Sequence, residues 1–264
     1  IADVKNIIDK YVFILKNSLE NKKGKAGLQF YSWLLEIAAC EIEETLSPYT
    51  KETALINYMF DLMKEKIRVS KDIFEKGLLK EEEKDTQIYI AIQQSLFKFD
   101  KPIISYNLIK YKYPEWKTAD DDFILKLAQN IYKIWKKIEK DLAHSLNKKF
   151  YAICEKYDTP YLLLGDILSQ KSAIETGREI QKPPILEQLL KSAYTKRLLT
   201  LRTRLSRAAI YSTISIFITK ILTILILEII LSKAIIGNFS SIVLIVDVLL
   251  PTFLMFILVF TIKP

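Results

Sequence analysis

Four glutamates lie close together around a cysteine and are the first residues to consider as a catalytic or metal site. They are Glu36, Glu41, Glu43 and Glu44, and Cys40 lies among them. Helical carboxylates at such spacings occur in di-iron bundles, but those sites also use a Glu-x-x-His pair from each of two helices. The chain has a single histidine, and no glutamate precedes it at that spacing. We therefore interpret the cluster as solvated helix charge.

The other residues that could bind a metal are that histidine, His144, and the two cysteines, Cys40 and Cys154. They offer no pair of ligands at the spacing of a zinc site. Each cysteine lies in an apolar-periodic stretch without a CxxC partner, which is typical of a reduced core thiol. We interpret His144 as a half-buried helix residue, and we expect neither a metal nor a cofactor.

Motifs of common enzymes are missing from the sequence. Its six glycines form neither a P-loop nor a GxGxxG turn, and it contains no HExxH or GxSxG motif. We therefore predict that the chain is not an enzyme.

The net charge of +8 is concentrated in one short segment. Residues 1–177 contain 28 Lys and Arg against 27 Asp and Glu, whereas residues 178–207 contain 8 against 2. A nucleic-acid-binding protein would carry this surplus on its soluble part. Here it precedes a long apolar region, where basic residues hold a helix end in the cytoplasm and contact anionic lipid headgroups. The sequence thus predicts a lipid bilayer as a partner and no nucleic acid.

Residues 1–172 read as an all-α soluble domain, because apolar residues recur every three or four positions and no alternating stretch indicates a strand. We predict a helical bundle or an irregular α-solenoid. One helix is expected to begin at Thr118, with three aspartates in its first turn, and to run through Leu146. Two further helices are predicted to begin at Asp-x-Pro sequences, with Pro102 and Pro160 in their first turns.

The remaining residues predict a membrane anchor. Residues 173–184 form a hinge, and residues 185–207 form a basic amphipathic helix that either lies on the anionic leaflet or runs straight into a membrane span. Its basic residues are Lys191, Lys196, Arg197, Arg202, Arg204 and Arg207. Residues 208–231 and 241–262 are each long and apolar enough to cross a bilayer. The positive charge before the first span places both flanks of this transmembrane hairpin in the cytoplasm, as expected for a multi-pass inner-membrane protein.

Polar residues within the spans are expected to pair. Ser212, Ser215, Thr219 and Thr223 share one stripe, which we expect to face the second span or a sister chain. We predict an ion pair between Lys220 and Asp247, because both lie deep in the hydrocarbon and Pro251 leaves the carbonyl of residue 247 without its helical donor. Glu228 lies close enough to the outer interface to need no partner.

Several short segments carry a resemblance to a known family. They are Phe217-Ile218-Thr219-Lys220 with Leu227-Glu228-Ile229, the span around Pro251 that ends in Thr261-Ile262-Lys263-Pro264, and Cys40-Glu41-Ile42-Glu43-Glu44 before Ser47-Pro48. Together they resemble an uncharacterised family of helical, C-terminally anchored membrane proteins of candidate-phylum bacteria with small genomes. The resemblance implies a bacterial inner membrane and no particular activity.

Two functions of different classes follow from these features. The first is a membrane-anchored adaptor or assembly protein whose helical domain binds another protein through an exposed apolar or aromatic patch. The second is a subunit of an oligomeric channel or transporter that uses Lys220, Asp247 and Glu228 in the membrane. A homo-oligomer is compatible with both, and an enzyme acting on lipid ranks third. The apolar run that ends at Pro264 also suggests an excerpt of a longer protein.

Overall fold

The computed structural model describes residues 2–18, 24–118, 120–169, 177 and 179–223, and the single positions 250, 253, 254 and 257. The chain divides into two compact units, Ile1–Thr176 and Gly177–Pro264. The described residues form helices and no strands, so the prediction of an all-α protein is confirmed.

The first unit contains short and medium-length helices. They are α1 (Ala2–Asn17), α2 (Lys25–Leu46), α3 (Thr50–Lys66), α4 (Lys71–Glu75), α5 (Glu81–Phe97), α6 (Lys101–Lys112), a 3-10 helix (Pro114–Lys117), α7 (Asp121–Leu142), α8 (Asn147–Lys156) and α9 (Thr159–Leu168).

Helix α5 lies at the centre of this unit and packs against α3, α6, α7 and α8. Further pairs form between α1 and α7, α2 and α6, and α3 and α9. Because these pairs join helices far apart in sequence, the unit is a bundle; in a solenoid each repeat contacts its neighbours. α5 is buried on all sides, including Ile88, Ile90 and Ile92.

Polar groups fix the position of the central helix. The Asn107 amide on α6 donates to Oε1 of Gln93 on α5 at 2.7 Å, and the Gln87 amide donates to the carbonyl of Asp141 on α7 at 2.8 Å. Buried amides that find partners only in one packing arrangement favour that arrangement over alternatives.

The predicted helix starts at Asp100 and Asp158 are confirmed, with α6 beginning at Lys101 and α9 at Thr159. The predicted cap of α7 is wrong by two residues, because Asp120, and not Thr118, accepts from the Phe123 amide at 2.9 Å. Thr118 instead ends the 3-10 turn, where its amide donates to the Glu115 carbonyl.

The predicted continuation of α7 through Leu146 is also wrong. The helix ends at Leu142, and His144 lies in the following turn, where its Nδ1 accepts from the Leu146 amide at 3.2 Å. In a continuing helix the Leu146 amide would donate to the carbonyl of Leu142. Here it donates to the His144 side chain, so the run of helical backbone hydrogen bonds ends. His144 is half-buried as predicted, but outside a helix.

The described part of the second unit is dominated by one 41-residue helix, α10 (Pro183–Thr223). Of the two alternatives for the basic segment, the structure shows the continuous one, in which residues 185–207 run without a break into the apolar residues that follow. Helix α10 is long and apolar enough to cross a membrane. The second predicted span, 241–262, lies outside the described residues except for positions 250, 253, 254 and 257, and so do residues 173–176 and 178 of the predicted hinge.

Residues 1–176 expressed alone should be soluble and helical, because their apolar residues form the buried faces of a compact unit. Circular dichroism of the purified fragment should show the double minimum of α-helix. An insoluble fragment, or a strand-dominated spectrum, would contradict the division into two units.

Candidate interaction surfaces

Two packed helices of the first unit expose a row of large apolar side chains. On α2 the row follows the three- and four-residue spacing of one helix face, and on α1 a shorter row has the same property. The exposed members, here called the outer face, are Ile8, Val12, Leu15, Leu28, Tyr31, Leu35 and Leu46.

The outer face is made of two exposed rows, one on each of these packed helices. α1 packs on α2. Hydrogen bonds from α1 to Glu41 place the middle of α1 beside the C-terminal half of α2. On both helices the exposed row lies on a different side from the buried residues. Leu28, Leu35 and Leu46 are 72%, 53% and 68% exposed, and large apolar side chains this exposed along one helix face are typical of interaction sites.

A buried carboxylate holds α1 in this position. Glu41 on α2 is only 4% exposed. Its Oε2 accepts from the Tyr11 hydroxyl at 2.7 Å and from the Trp116 indole at 2.9 Å, and its Oε1 pairs with the Lys10 ammonium. This one side chain therefore joins α1, α2 and the 3-10 helix.

A second carboxylate one turn further along α2 joins the same helix to α6. Glu44 accepts from the Tyr106 hydroxyl at 2.7 Å and pairs with Lys110 and Lys117 at 2.8 Å each. The interpretation of the glutamate cluster as solvated charge is wrong for Glu41 and Glu44, which join α2 to α1, α6 and the 3-10 helix. Glu43, by contrast, is exposed.

The protonation of this network follows from its burial. Burial lowers the pKa of the Lys10 ammonium, although the Glu41 carboxylate opposes that change. Burial and the same carboxylate raise the pKa of Tyr11 well above its usual value. Burial alone would raise the pKa of Glu44, but hydrogen bonds from Lys110, Lys117 and Tyr106 outweigh it, and the pKa lies below its ordinary value.

The depressed pKa of Glu44 predicts acid sensitivity. A carboxylate whose pKa is lower in the folded than in the unfolded chain contributes stability above its unfolded pKa, and this is lost as the pH falls through the folded value. The melting temperature of residues 1–176 should therefore fall between pH 6 and pH 3, and it should fall less steeply in Glu44→Gln. Equal slopes in the two proteins would exclude Glu44 as a source of the acid sensitivity.

Both cysteines are buried, as predicted for core thiols. Burial raises the pKa of Cys40 to about 11 and that of Cys154 to about 12. Because the thiolate is the reactive form, the folded protein should not react with a thiol reagent at pH 8, whereas both thiols should react in guanidinium chloride. An absorbance assay with a disulfide reagent measures this. Rapid labelling of the folded chain would contradict the burial.

Helix α10 offers a second surface. All six predicted membrane-surface residues lie on it: Lys191, Lys196, Arg197, Arg202, Arg204 and Arg207. They flank a row of leucines, and Lys191 also pairs with Glu187 one turn earlier at 2.7 Å. A basic helix with a leucine row that continues into an apolar segment suits the interface of an anionic membrane.

The predicted intramembrane pair is only half described. Lys220 lies on α10 and is half-exposed, whereas Asp247 and Glu228 lie outside the described residues. The Lys220–Asp247 ion pair therefore stays a prediction, as does the channel function that depends on these three residues.

The described segments between residues 2 and 223 contain no group of three His, Cys, Asp or Glu side chains that could hold a metal ion. His144 Nε2 lies 3.9 Å from Glu83, which also pairs with Lys140 at 3.5 Å. This arrangement joins α5 to the end of α7.

Comparison with protein-family models, curated proteins and solved structures finds no significant match to the chain.

Proposed function

We propose that the protein is a membrane-attached helical adaptor or assembly protein. In this proposal α10, which contains the start of the first predicted span, and the second predicted span hold the first unit at the cytoplasmic face of a bacterial inner membrane. The outer face of α1 and α2 then binds another protein.

The observation that carries the proposal is the outer face itself. Seven large apolar side chains are exposed along one side of α1 and of α2, and these helices are held in place by ion pairs of Glu41 and Glu44. Scattered exposed apolar residues are normal in soluble proteins, but exposed apolar side chains that recur along one face of a helix are typical of a protein-binding surface. Its rigid support lowers the entropy lost on binding.

Membrane attachment is supported by the length and apolar character of α10 and by its basic segment. The full-length protein should stay in the membrane pellet after a carbonate wash, whereas residues 1–176 should be found in the soluble fraction. Release of the full-length protein by carbonate would contradict this part of the proposal.

Partner binding is tested by a photoreactive amino acid at Leu35 in cells, with the same residue at Leu78 as control. Leu78 is 49% exposed but lies outside the outer face. We expect Leu35 to give a discrete cross-linked product of defined mass that Leu78 does not give.

Two double variants test the same surface by substitution. Leu28→Asp with Leu35→Asp changes the outer face, and Leu78→Asp with Tyr157→Asp, which lie outside it, is the control. The first pair should reduce recovery of the cross-linked partner at least about tenfold, equivalent to about 1.4 kcal/mol of binding free energy. Equal recovery with both pairs would exclude the outer face as the binding surface.

A further inference from the structure

A groove lies on the first unit where α2, the start of α6 and the C-terminal half of α7 meet. It has a volume of about 340 Å³, which is within the size range of small-molecule sites. None of the residues that line this groove belongs to the outer face, so the inference drawn from it does not depend on the partner binding proposed above.

The buried residues that line the groove are mostly aromatic. Trp33 of α2 and Trp135 of α7 are 5% and 4% exposed, and their ring centroids lie 6.4 Å apart. Ser105 of α6 is the third buried residue of the lining. An apolar, aromatic lining with a few polar groups is characteristic of sites that bind small molecules.

One of these aromatic residues has a buried hydrogen-bond donor that is not used within the described part of the chain. Trp33 Nε1 is buried, and no described residue accepts a hydrogen bond from it. The Trp116 indole, by contrast, donates to Glu41. A buried donor without an acceptor destabilises the fold, which favours a bound molecule that supplies the acceptor. Because Nε1 is buried, an acceptor in the groove reaches it after the exposed side chains nearby change rotamer, as side chains commonly do on binding.

The remaining lining includes two positive and two negative side chains. They are Lys101 at the start of α6, Glu36 on α2, and Lys136 and Glu139 on α7. Among the residues that the structure describes, none of the four forms an ion pair. The Lys136 ammonium instead lies 4.0 Å from the centre of the Trp135 ring, and Glu36 accepts a 3.3 Å hydrogen bond from Ser32. Charges of both signs are therefore available to a ligand.

This set of charges selects the chemistry of the ligand. The two lysines and two glutamates sum to zero, so the lining favours neither a simple anion nor a simple cation. A carboxylate accepts hydrogen bonds from lysine ammonium and indole N–H groups, and an ammonium donates to glutamate. A molecule that carries both groups matches every charge of the lining, and the small volume suits an amino acid or a dipeptide.

We propose that this groove binds a small zwitterion, an amino acid or a dipeptide. Its carboxylate accepts hydrogen bonds from the two lysines and the Trp33 indole, and its ammonium pairs with the two glutamates. The tryptophan rings contact its carbon skeleton, since aromatic side chains provide a large apolar contact area.

Nuclear magnetic resonance of the full-length protein in detergent micelles, labelled with ¹⁵N-tryptophan, tests this. The chain has three tryptophans, and single Trp→Phe variants assign their indole N–H signals. The probes are a mixture of the twenty protein amino acids and a mixture of glycyl dipeptides, each compound at about 1 mM, enough to half-fill a site with a Kd of about 1 mM. We expect the Trp33 signal to move downfield and the Trp116 signal to stay in place.

The two mixtures distinguish the sources of the ligand. A Trp33 shift with the amino acids alone identifies a free amino acid, and a shift with the dipeptides alone identifies a short peptide. No shift of the Trp33 signal with either mixture would overturn the proposal. Equal shifts with N-acetyl amino acids, which lack the ammonium, or with amino acid amides, which lack the carboxylate, would also overturn it.

Substitutions of exposed charges test the roles of the lining with the compound that binds best. Lys101→Gln with Lys136→Gln, and Glu36→Gln with Glu139→Gln, should each weaken binding about tenfold, because each double variant removes two ion pairs to the ligand. The controls are Lys133→Gln with Lys137→Gln and Glu65→Gln with Glu82→Gln, which are exposed residues outside the groove and should leave the affinity unchanged. Equal affinities in the groove variants and the controls would exclude the charged lining as the binding site.

The role of the indole N–H is tested by Trp33→Phe, which keeps an aromatic ring but removes the donor. We expect the variant to keep its helical circular-dichroism spectrum and to bind at least about tenfold more weakly, because a hydrogen bond to a charged acceptor is lost. A folded Trp33→Phe protein with the affinity of the native chain would overturn the assignment of this N–H to the ligand.

Discussion

Replacing Glu41 with alanine is expected to lower the free energy of unfolding of residues 1–176 by about 3–5 kcal/mol. The substitution leaves the Lys10 ammonium without its counter-charge and removes the acceptor of the Tyr11 hydroxyl and the Trp116 indole. A buried charge that loses its partner costs far more than an exposed one. Urea denaturation followed by circular dichroism measures the change.

Glu43→Ala is the matched control, because Glu43 lies two residues away on the same helix and is exposed. Its effect should stay within about 0.5 kcal/mol. Changing Lys10 and Glu41 together to methionine should recover part of the loss, since it removes both charges. A loss below about 1 kcal/mol for Glu41→Ala would show that water reaches the Lys10 ammonium.

Moving the positive charge from one flank of the first span to the other is expected to invert the orientation of the protein in the membrane. The variant changes the six basic residues between Lys191 and Arg207 to glutamine and adds arginine at Ser232, Ile236 and Ser240. The excess of lysine and arginine close to a span determines which flank stays in the cytoplasm.

Labelling with an impermeant thiol reagent reads the orientation. In an otherwise native chain, a cysteine at Asn238 should be labelled from outside the cytoplasm and one at Glu115 should not. In the charge-moved variant the two results should exchange. A variant with the six glutamines but without the added arginines shows whether removing the positive charge by itself changes orientation or prevents insertion. Unchanged labelling in all variants would contradict the predicted topology.

Sequence reasoning succeeded where a structural signal is local. The helix start at Asp100 follows from a capping side chain and a nearby proline, whereas at Asp158 the side chain makes no capping hydrogen bond and the proline is the local signal. The predicted start of α7 is wrong because Thr118 and Asp120 both have capping side chains, and only the preceding 3-10 turn decides between them. The break after Leu142 depends on a bond from His144 that the sequence pattern does not reveal.

The burial of Glu41 and the position of the outer face are not predicted from the sequence, because both depend on how the helices pack. Glu41 lies four residues after Ile37 and seven after Leu34, so helical spacing places it on the buried face of α2. That signal was present, but a charged residue is normally expected in solvent. α2 also carries two apolar rows, one with Trp33 and one with Leu35, and only the packing of α1, α6 and α7 determines which row is buried.

The central position of α5 has a consequence for the order in which the protein is synthesised. α5 ends at Phe97 and one of its main packing partners, α8, ends at Lys156. At 5–20 residues per second, the ribosome takes about 3–12 s to make the residues between these points. During that time the apolar surface of α5 that α8 later covers is open to chaperones and to other nascent chains. α9, the last described helix of the unit, ends at Leu168 and α10 begins at Pro183, so every described helix of the bundle is synthesised before α10.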